Sequence, residues 1–155
     1  MKKLAVIFAG LSLFVATSCN DDKEDPVMYF PIAGTWQPIR ETWTEVPNNP
    51  DPVSDPIYYT ACQQQSRWVF QSNFSGSIED HDDTAAGTCA VTGVRTFTYS
   101  YNGNGDDNFQ IKYGGQIVPQ TGKVTKLTAN EMNIKLETID NAGYHSKTYS
   151  FKRVQ

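Results

Sequence analysis

The chain has 155 residues, 39% of them hydrophobic and 19% charged, with a formal net charge of −4 at pH 7. That length supports one domain with a real core and is too short for two ordinary ones. The acidic balance, with no basic patch in evidence, excludes nucleic acid as an expected partner.

Lys2 and Lys3 precede an apolar core at residues 4–15, and the small residues Ala16, Thr17 and Ser18 lead into Cys19. This is the three-part form of an export signal, and about a dozen apolar residues fall short of the ~20 that span a bilayer as a helix. The small residues before Cys19 resemble the lipobox of bacterial lipoproteins, with Ala16 where that pattern prefers Leu. The resemblance implies removal of residues 1–18 and acylation of Cys19, palmitate included; a plain secretory signal with a spare Cys is the alternative. Residues 19–31 then form an acidic tether, whose run Asn20-Asp21-Asp22-Lys23-Glu24-Asp25 is too polar to pack and which passes into an apolar, extended lead-in from Val27 to Ala33. Its acidic run resembles the export tags of Bacteroidetes-type surface lipoproteins, against the alternative of a solvated linker. The expected location is the outer membrane, facing the periplasm or displayed at the cell surface, with a membrane contact through the N-terminal lipid. Several acyl chains at ~0.8 kcal/mol per buried CH2 make such an anchor stable.

Residues 32–155 are expected to form the folded domain. Residues 34–46, opening with Gly34-Thr35-Trp36, read as a long first strand whose alternation breaks at Pro38, so a bulge or an edge position is predicted there. Four prolines between residues 47 and 56 predict a loop or flap without regular structure, able to cover a barrel mouth. Residues 57–61 read as a short strand or a helical turn, and residues 67–71 as a clear strand with Trp68 and Phe70 on one face. A turn at residues 72–76 leads into residues 77–79, and the polar residues 80–88 predict a second exposed loop.

From Cys89 to Tyr101 a strand carries Arg95, Phe97, Tyr99 and Tyr101 on one face and Val94, Thr96 and Thr98 on the other. One aromatic face and one small or polar face fit a half-buried antiparallel strand. Asn102-Gly103-Asn104-Gly105 is the strongest hairpin signal, since both central residues of such a turn need positive φ. Phe109, Ile111 and Tyr113 alternate in the partner strand; residues 124–127 and 131–138 follow as strands. A last turn at residues 140–143 opens the closing strand, where Tyr149, Phe151 and Arg153 share a face.

The expected fold is therefore all-β, a single up-and-down antiparallel β-barrel of about eight strands, with a sandwich as the alternative. Short connections after Cys89 favour the barrel. So does the pairing of Trp36 at the start of the first strand with Arg153 at the end of the last, which meet if the sheet closes. Gly34, Trp36 and Arg153 are the predicted closure residues. Cys62 and Cys89 are an even pair in an exported chain, and one disulfide between them is expected, with two buried free thiols as the alternative.

These features resemble the lipocalin-like (calycin) domain of Bacteroidetes-type lipoproteins. The resemblance is carried by Gly34-Thr35-Trp36, by the Cys62 and Cys89 pair around Trp68-Val69-Phe70, by Lys126-Leu127-Thr128-Ala129-Asn130-Glu131-Met132 and by Tyr149-Ser150-Phe151-Lys152-Arg153-Val154. The chain departs from the lipocalin pattern in having no Thr-Asp-Tyr motif and no helix pattern after the last strand.

For function, Trp68, Phe70, Phe97, Tyr99, Tyr101, Phe109 and Tyr113 form the aromatic stripe expected to contact a ligand, unless it is simply barrel core. An eight-stranded barrel is just wide enough to be filled by side chains or to hold one small molecule. Glu79-Asp80-His81-Asp82-Asp83 is oxygen-rich but lacks the alternating spacing and turn glycine of a calcium loop, so it reads as a solvated acidic loop rather than a metal site. His81 and His145 stand in no nucleophile pattern, which gives catalysis no support, and no cofactor is expected. The leading expectation is a monomeric, non-enzymatic, lipid-anchored barrel that binds a small apolar or amphipathic molecule. The rival is a filled barrel whose loops contact another envelope protein or a glycan.

Overall fold

The computed structural model describes residues 31–47, 53–103, 108–140 and 143–155. The signal segment, Cys19 and the tether up to residue 30 lie outside the described residues, as do parts of three predicted loops and turns. Alternating apolar and polar residues give nine strands among the described residues: β1 (Gly34–Pro47), β2 (Val53–Tyr58), β3 (Arg67–Phe70), β4 (Ser75–Asp83), β5 (Cys89–Tyr101), β6 (Phe109–Tyr113), β7 (Gln120–Leu127), β8 (Glu131–Asp140) and β9 (Gly143–Arg153). From β3 to β9 each strand pairs antiparallel with the next, and β1 closes the ring by pairing with both β3 and β9. Eight strands thus make an up-and-down barrel. β2 is an extra strand laid on β1.

The first strand bends to serve three partners. Gly34 to Trp36 pair with β3, Arg40 to Glu45 pair with β2, and the opposite edge runs along β9 from Trp36 opposite Arg153 to Pro47 opposite Gly143. The register slips between Pro38 and Arg40, which is the bulge the sequence predicts at Pro38. β3 is only four residues long, so it covers the lower half of the gap between β1 and β4. The upper half is filled by residues 59–66, with one 3-10 turn at Gln63–Gln65.

Three expectations need correction. Residues 53–56 are not loop: with Ile57 and Tyr58 they form β2, and Pro56 sits opposite Thr42. An edge strand leaves one row of N–H groups outside the ladder, so a proline there sacrifices nothing. Asp80 to Asp83 are not loop either, because they continue β4 paired with β5, across a register shift between Asp80 and His81. Asp80 is held there by Arg95 of β5, while Asp82 and Asp83 accept hydrogen bonds from Gln63 and Thr60. Strand β7 begins at Gln120, four residues before the predicted start at Val124.

The core occupies one end of the barrel. Trp36, Phe70, Phe109, Phe151, Ile78, Ile111, Met132 and Ile134 are all essentially inaccessible to solvent. Phe70 packs on Phe97 and Tyr99 with ring centroids 5.0 and 5.1 Å apart. Gly76 of β4 makes room for this: a Cβ on it would come within 2.2 Å of the Phe97 ring. Burying each such side chain contributes roughly 1.5–3 kcal/mol.

Candidate functional site

Arg153 lies over Trp36, its guanidinium carbon 4.1 Å from the ring centroid. The same guanidinium donates to the carbonyls of Ala129, Ala33 and Pro31 at 2.8, 2.9 and 2.7 Å, tying the β7–β8 turn and the chain entering β1 to the end of β9. Trp36 Nε1 donates to the Ile32 carbonyl at 2.8 Å. Gly34 is forced at this place, since its φ is +143° and a Cβ would meet Arg153 Nη1 at 2.3 Å. These contacts seal one end of the barrel.

The other end is open. A cup of about 420 Å³ lies between the upper halves of β1, β4, β5, β6 and β9 and the segment 59–66. Its floor is formed by Trp68, Tyr113 and Tyr149; the Trp68 ring is 5.2 Å from Tyr149 and 6.5 Å from Tyr113, centroid to centroid. Beneath the floor Phe151 packs on Trp68 at 5.2 Å, and the filled half begins.

Two ion pairs stand on the walls. On β1 and β9, Lys147 Nζ is 3.3 Å from Glu41 and 4.2 Å from the centroid of Trp43. Glu41 also accepts from Trp43 Nε1 at 2.9 Å and from the Tyr59 hydroxyl at 2.8 Å. On β4 and β5, Arg95 donates from Nε and Nη2 to one oxygen of Asp80, at 3.1 and 2.8 Å, and its guanidinium carbon is 5.6 Å from the Tyr113 centroid. In the order around the barrel the two pairs are separated by β3 on one side and by β6, β7 and β8 on the other, so they face each other across the cup.

Protonation follows from these contacts. Burial pushes the Glu41 carboxyl up, but the hydrogen bonds from Trp43 and Tyr59 and the charge of Lys147 outweigh it, and its pKa lies below the ordinary value of 4.5. Burial raises the Tyr113 hydroxyl to about 12, with Arg95 opposing and Asp80 adding to the rise. Burial raises Tyr59 and Tyr149 further still, helped at Tyr59 by its hydrogen bond to Glu41 and at Tyr149 by the neighbouring Tyr113 and Glu41. All three phenols therefore remain protonated donors at neutral pH.

The segment 59–66 forms the remaining wall. It is fixed by the disulfide Cys62–Cys89, with Cα atoms 5.3 Å apart, by the Ser66 hydroxyl accepting from the His81 backbone N–H at 2.8 Å, and by the Tyr59 N–H donating to the Ile39 carbonyl. Arg67 Nη1 donates to the carbonyls of Gln64, Gln65 and Ser66 and stiffens the turn from below.

Of the seven aromatic side chains expected to meet a ligand, Trp68 and Tyr113 line the cup. Phe70, Phe97, Tyr99 and Phe109 are buried in the packed half, and Tyr101 packs partly buried against it. Their shared face runs the length of the barrel, and away from the cup Tyr99 and Tyr101 also line a surface hollow of about 430 Å³ with Phe74 and Asn108. Sequence reading missed Glu41, Tyr59, Lys147 and Tyr149; for Glu41, Lys147 and Tyr149 the signal was the inner-face alternation of β1 and β9, obscured by the bulge at Pro38. A register shift between Asp80 and His81 interrupts the acidic run 79–83, and Asp80, His81 and Asp82 all line the cup; among the described residues no group of three or more His, Cys, Asp or Glu side chains is gathered as a metal site.

An antiparallel eight-stranded barrel, sealed at one end by a Trp–Arg contact and open at the other over a side-chain-lined cup, defines a calyx-shaped barrel protein. A model of the lipocalin-like domain matches residues 32–134, and the chain belongs to that family. No curated protein matches the sequence. Among solved structures, lobster apocrustacyanin A1 is 18% identical over 79% of this chain and 60% of its own, with a TM-score of 0.48. H1 crustacyanin from the lobster Homarus americanus is 19% identical over 83% of this chain and 63% of its own, TM-score 0.47. Bovine odorant-binding protein, in complex with undecanal, is 12% identical over 83% and 76%, TM-score 0.42. The chain thus spans about 60% of the length of the crustacyanins it matches.

Proposed function

We propose that this protein is a lipid-anchored, non-enzymatic envelope protein whose barrel binds a small amphipathic molecule. The observation that carries the reading is the cup of about 420 Å³ at the open end, within the size range of small-molecule sites. The filled lower half leaves no deep apolar tunnel, so the guest is short and meets both rings and charges. The non-enzymatic part of the reading rests on the sequence, where His81 and His145 stand in no nucleophile pattern. His81 Nε2 lies 3.8 Å from Glu79, and His145 lies between Glu45 and Asp140 at 3.9 and 3.4 Å. Neither ring hydrogen-bonds a hydroxyl or thiol among the described residues.

Membrane attachment is supported by the signal segment ending at Cys19 and by the polar tether after it. Native mass spectrometry of the full chain purified from its own host tests ligand binding directly. A co-purifying small molecule, released on unfolding, is the expected result. If none is found and amphipathic dyes do not bind, the rival interaction module takes over, supported by the exposed Ile117, Val118 and Ile139.

A further inference from the structure

Among the polar groups of the cup, the hydrogen-bond donors and acceptors are not balanced. The Glu41 carboxylate is saturated by Trp43, Tyr59 and Lys147, and one oxygen of Asp80 holds two donors of Arg95. In contrast, the hydroxyls of Tyr113 and Tyr149 line the cup and hydrogen-bond to nothing among the described residues, and Nη1 of Arg95 is likewise unused. These donors have no acceptor among the described residues, so an incoming molecule that supplies one finds its hydrogen-bond partners here. Lys147 and Arg95 are paired with Glu41 and Asp80, and the third carboxylate, Asp82, accepts from Gln63, so the unused donors are what the floor offers a guest.

The apolar surface lies above this polar layer rather than below it. Cross-strand partners share a face of the sheet, so Ile57 opposite Glu41, Asp55 opposite Trp43 and Val53 opposite Glu45 continue the inner face of β1 and β2 toward the mouth. Ile57 is 46% exposed, Val53 53% and Trp43 42%. Ile117 and Val118, in the connection between β6 and β7 at the same end, are 90% and 73% exposed. Below the floor Phe70, Phe97, Phe109 and Phe151 are packed.

We propose that the cup takes its guest head-first: an oxygen acceptor group, carboxylate or carbonyl, sits on the Tyr113 and Tyr149 hydroxyls beside Arg95, while the apolar part of the guest lies against Trp43, Ile57 and the β6–β7 connection at the rim. This rests on the ligand-binding reading above and adds the chemistry of the head group and the direction of entry. A long chain inserted tail-first would strip water from both ion pairs and return no hydrogen bond.

Full-chain protein is titrated at neutral pH with octanoate, methyl hexyl ketone and octylamine, which differ in the head group. Octanoate and the ketone are expected to bind, with octylamine at least roughly tenfold weaker, the scale of one lost charged-group hydrogen bond. The double variant Tyr113→Phe with Tyr149→Phe keeps both rings and is expected to weaken octanoate and the ketone by roughly tenfold or more at unchanged thermal midpoint. Octanoate and ketone binding alike assigns recognition to the hydroxyls, and octanoate alone assigns it to Arg95 with them; both outcomes support the proposal. Direction is read in the parent fold from Trp quenching by octanoate brominated at its tail end, which is expected to disappear in Trp43→Phe. Equal binding of all three probes, or tail-end quenching that survives in Trp43→Phe and is lost in Trp68→Phe, overturns the head-first assignment and leaves ligand binding standing. Failure of all three to bind removes both.

Discussion

At the scale of single residues, two side chains carry distinct tasks at opposite ends of the barrel. Arg153 seals one end by serving three carbonyls while covering Trp36. A cation over an indole contributes about 0.5–2 kcal/mol, and charge-assisted hydrogen bonds add to it, so Arg153→Ala is expected to cost roughly 2–4 kcal/mol in urea denaturation. Arg153→Lys recovers only part of this, because an ammonium cannot reach three carbonyls as a planar fork does. Glu41 has a depressed pKa in the folded protein. Between its folded and unfolded values the unfolded chain binds more protons, so its contribution is fully present above pH ~4.5 and is lost as pH falls through the folded value. Acid unfolding monitored by circular dichroism is expected to show a steeper loss of stability below that pH in the parent than in Glu41→Gln.

At the scale of elements, the wall made by residues 59–66 is the part of the cup that no barrel strand supplies. The disulfide Cys62–Cys89 spans 27 residues and ties this wall to the start of β5. A loop of that size is stabilised by roughly 3.5 kcal/mol in the chain-entropy model. Reduction, or Cys62→Ser with Cys89→Ser, is therefore expected to lower the urea midpoint and to speed hydrogen exchange in residues 59–66 before the rest of the barrel. Uniform exchange throughout would mean that the segment is held by the fold alone. The strands of the lower barrel were legible in sequence because strict alternation, as in Met132, Ile134 and Leu136 of β8, reports a face buried against other side chains. The first four residues of β2 and the end of β4 were not legible. Pro56 and the run Asp80 to Asp83 have poor strand propensity, and their pairing depends on Thr42 and Arg95, which are remote in sequence. The aromatic stripe was legible as an inner face, but alternation carries no information about height along the barrel. Which rings border the cup and which are core was therefore beyond it.

At the scale of the whole molecule, the barrel separates stability from recognition along its axis. The sealed half is filled with aromatic and branched side chains, and the open half carries charges that a filled core would not tolerate without partners. The chain entering at Pro31 is held at the sealed end by Arg153, so a lipid on Cys19 would tether the molecule from the end opposite the cup. Cys19→Ala is expected to abolish palmitate labelling and to release the protein from membranes, with its thermal midpoint unchanged; retention on membranes would disprove acylation as the anchor. The central claim is that the cup is a binding site. Thr92, exposed on the cup wall, can carry a large side chain without entering the core. Titration of the parent and of Thr92→Trp with an amphipathic fluorescent dye, 8-anilinonaphthalene-1-sulfonate, tests the claim most directly. One saturable site in the parent, lost in the folded variant, is the predicted result, and identical binding curves for the two proteins would contradict it.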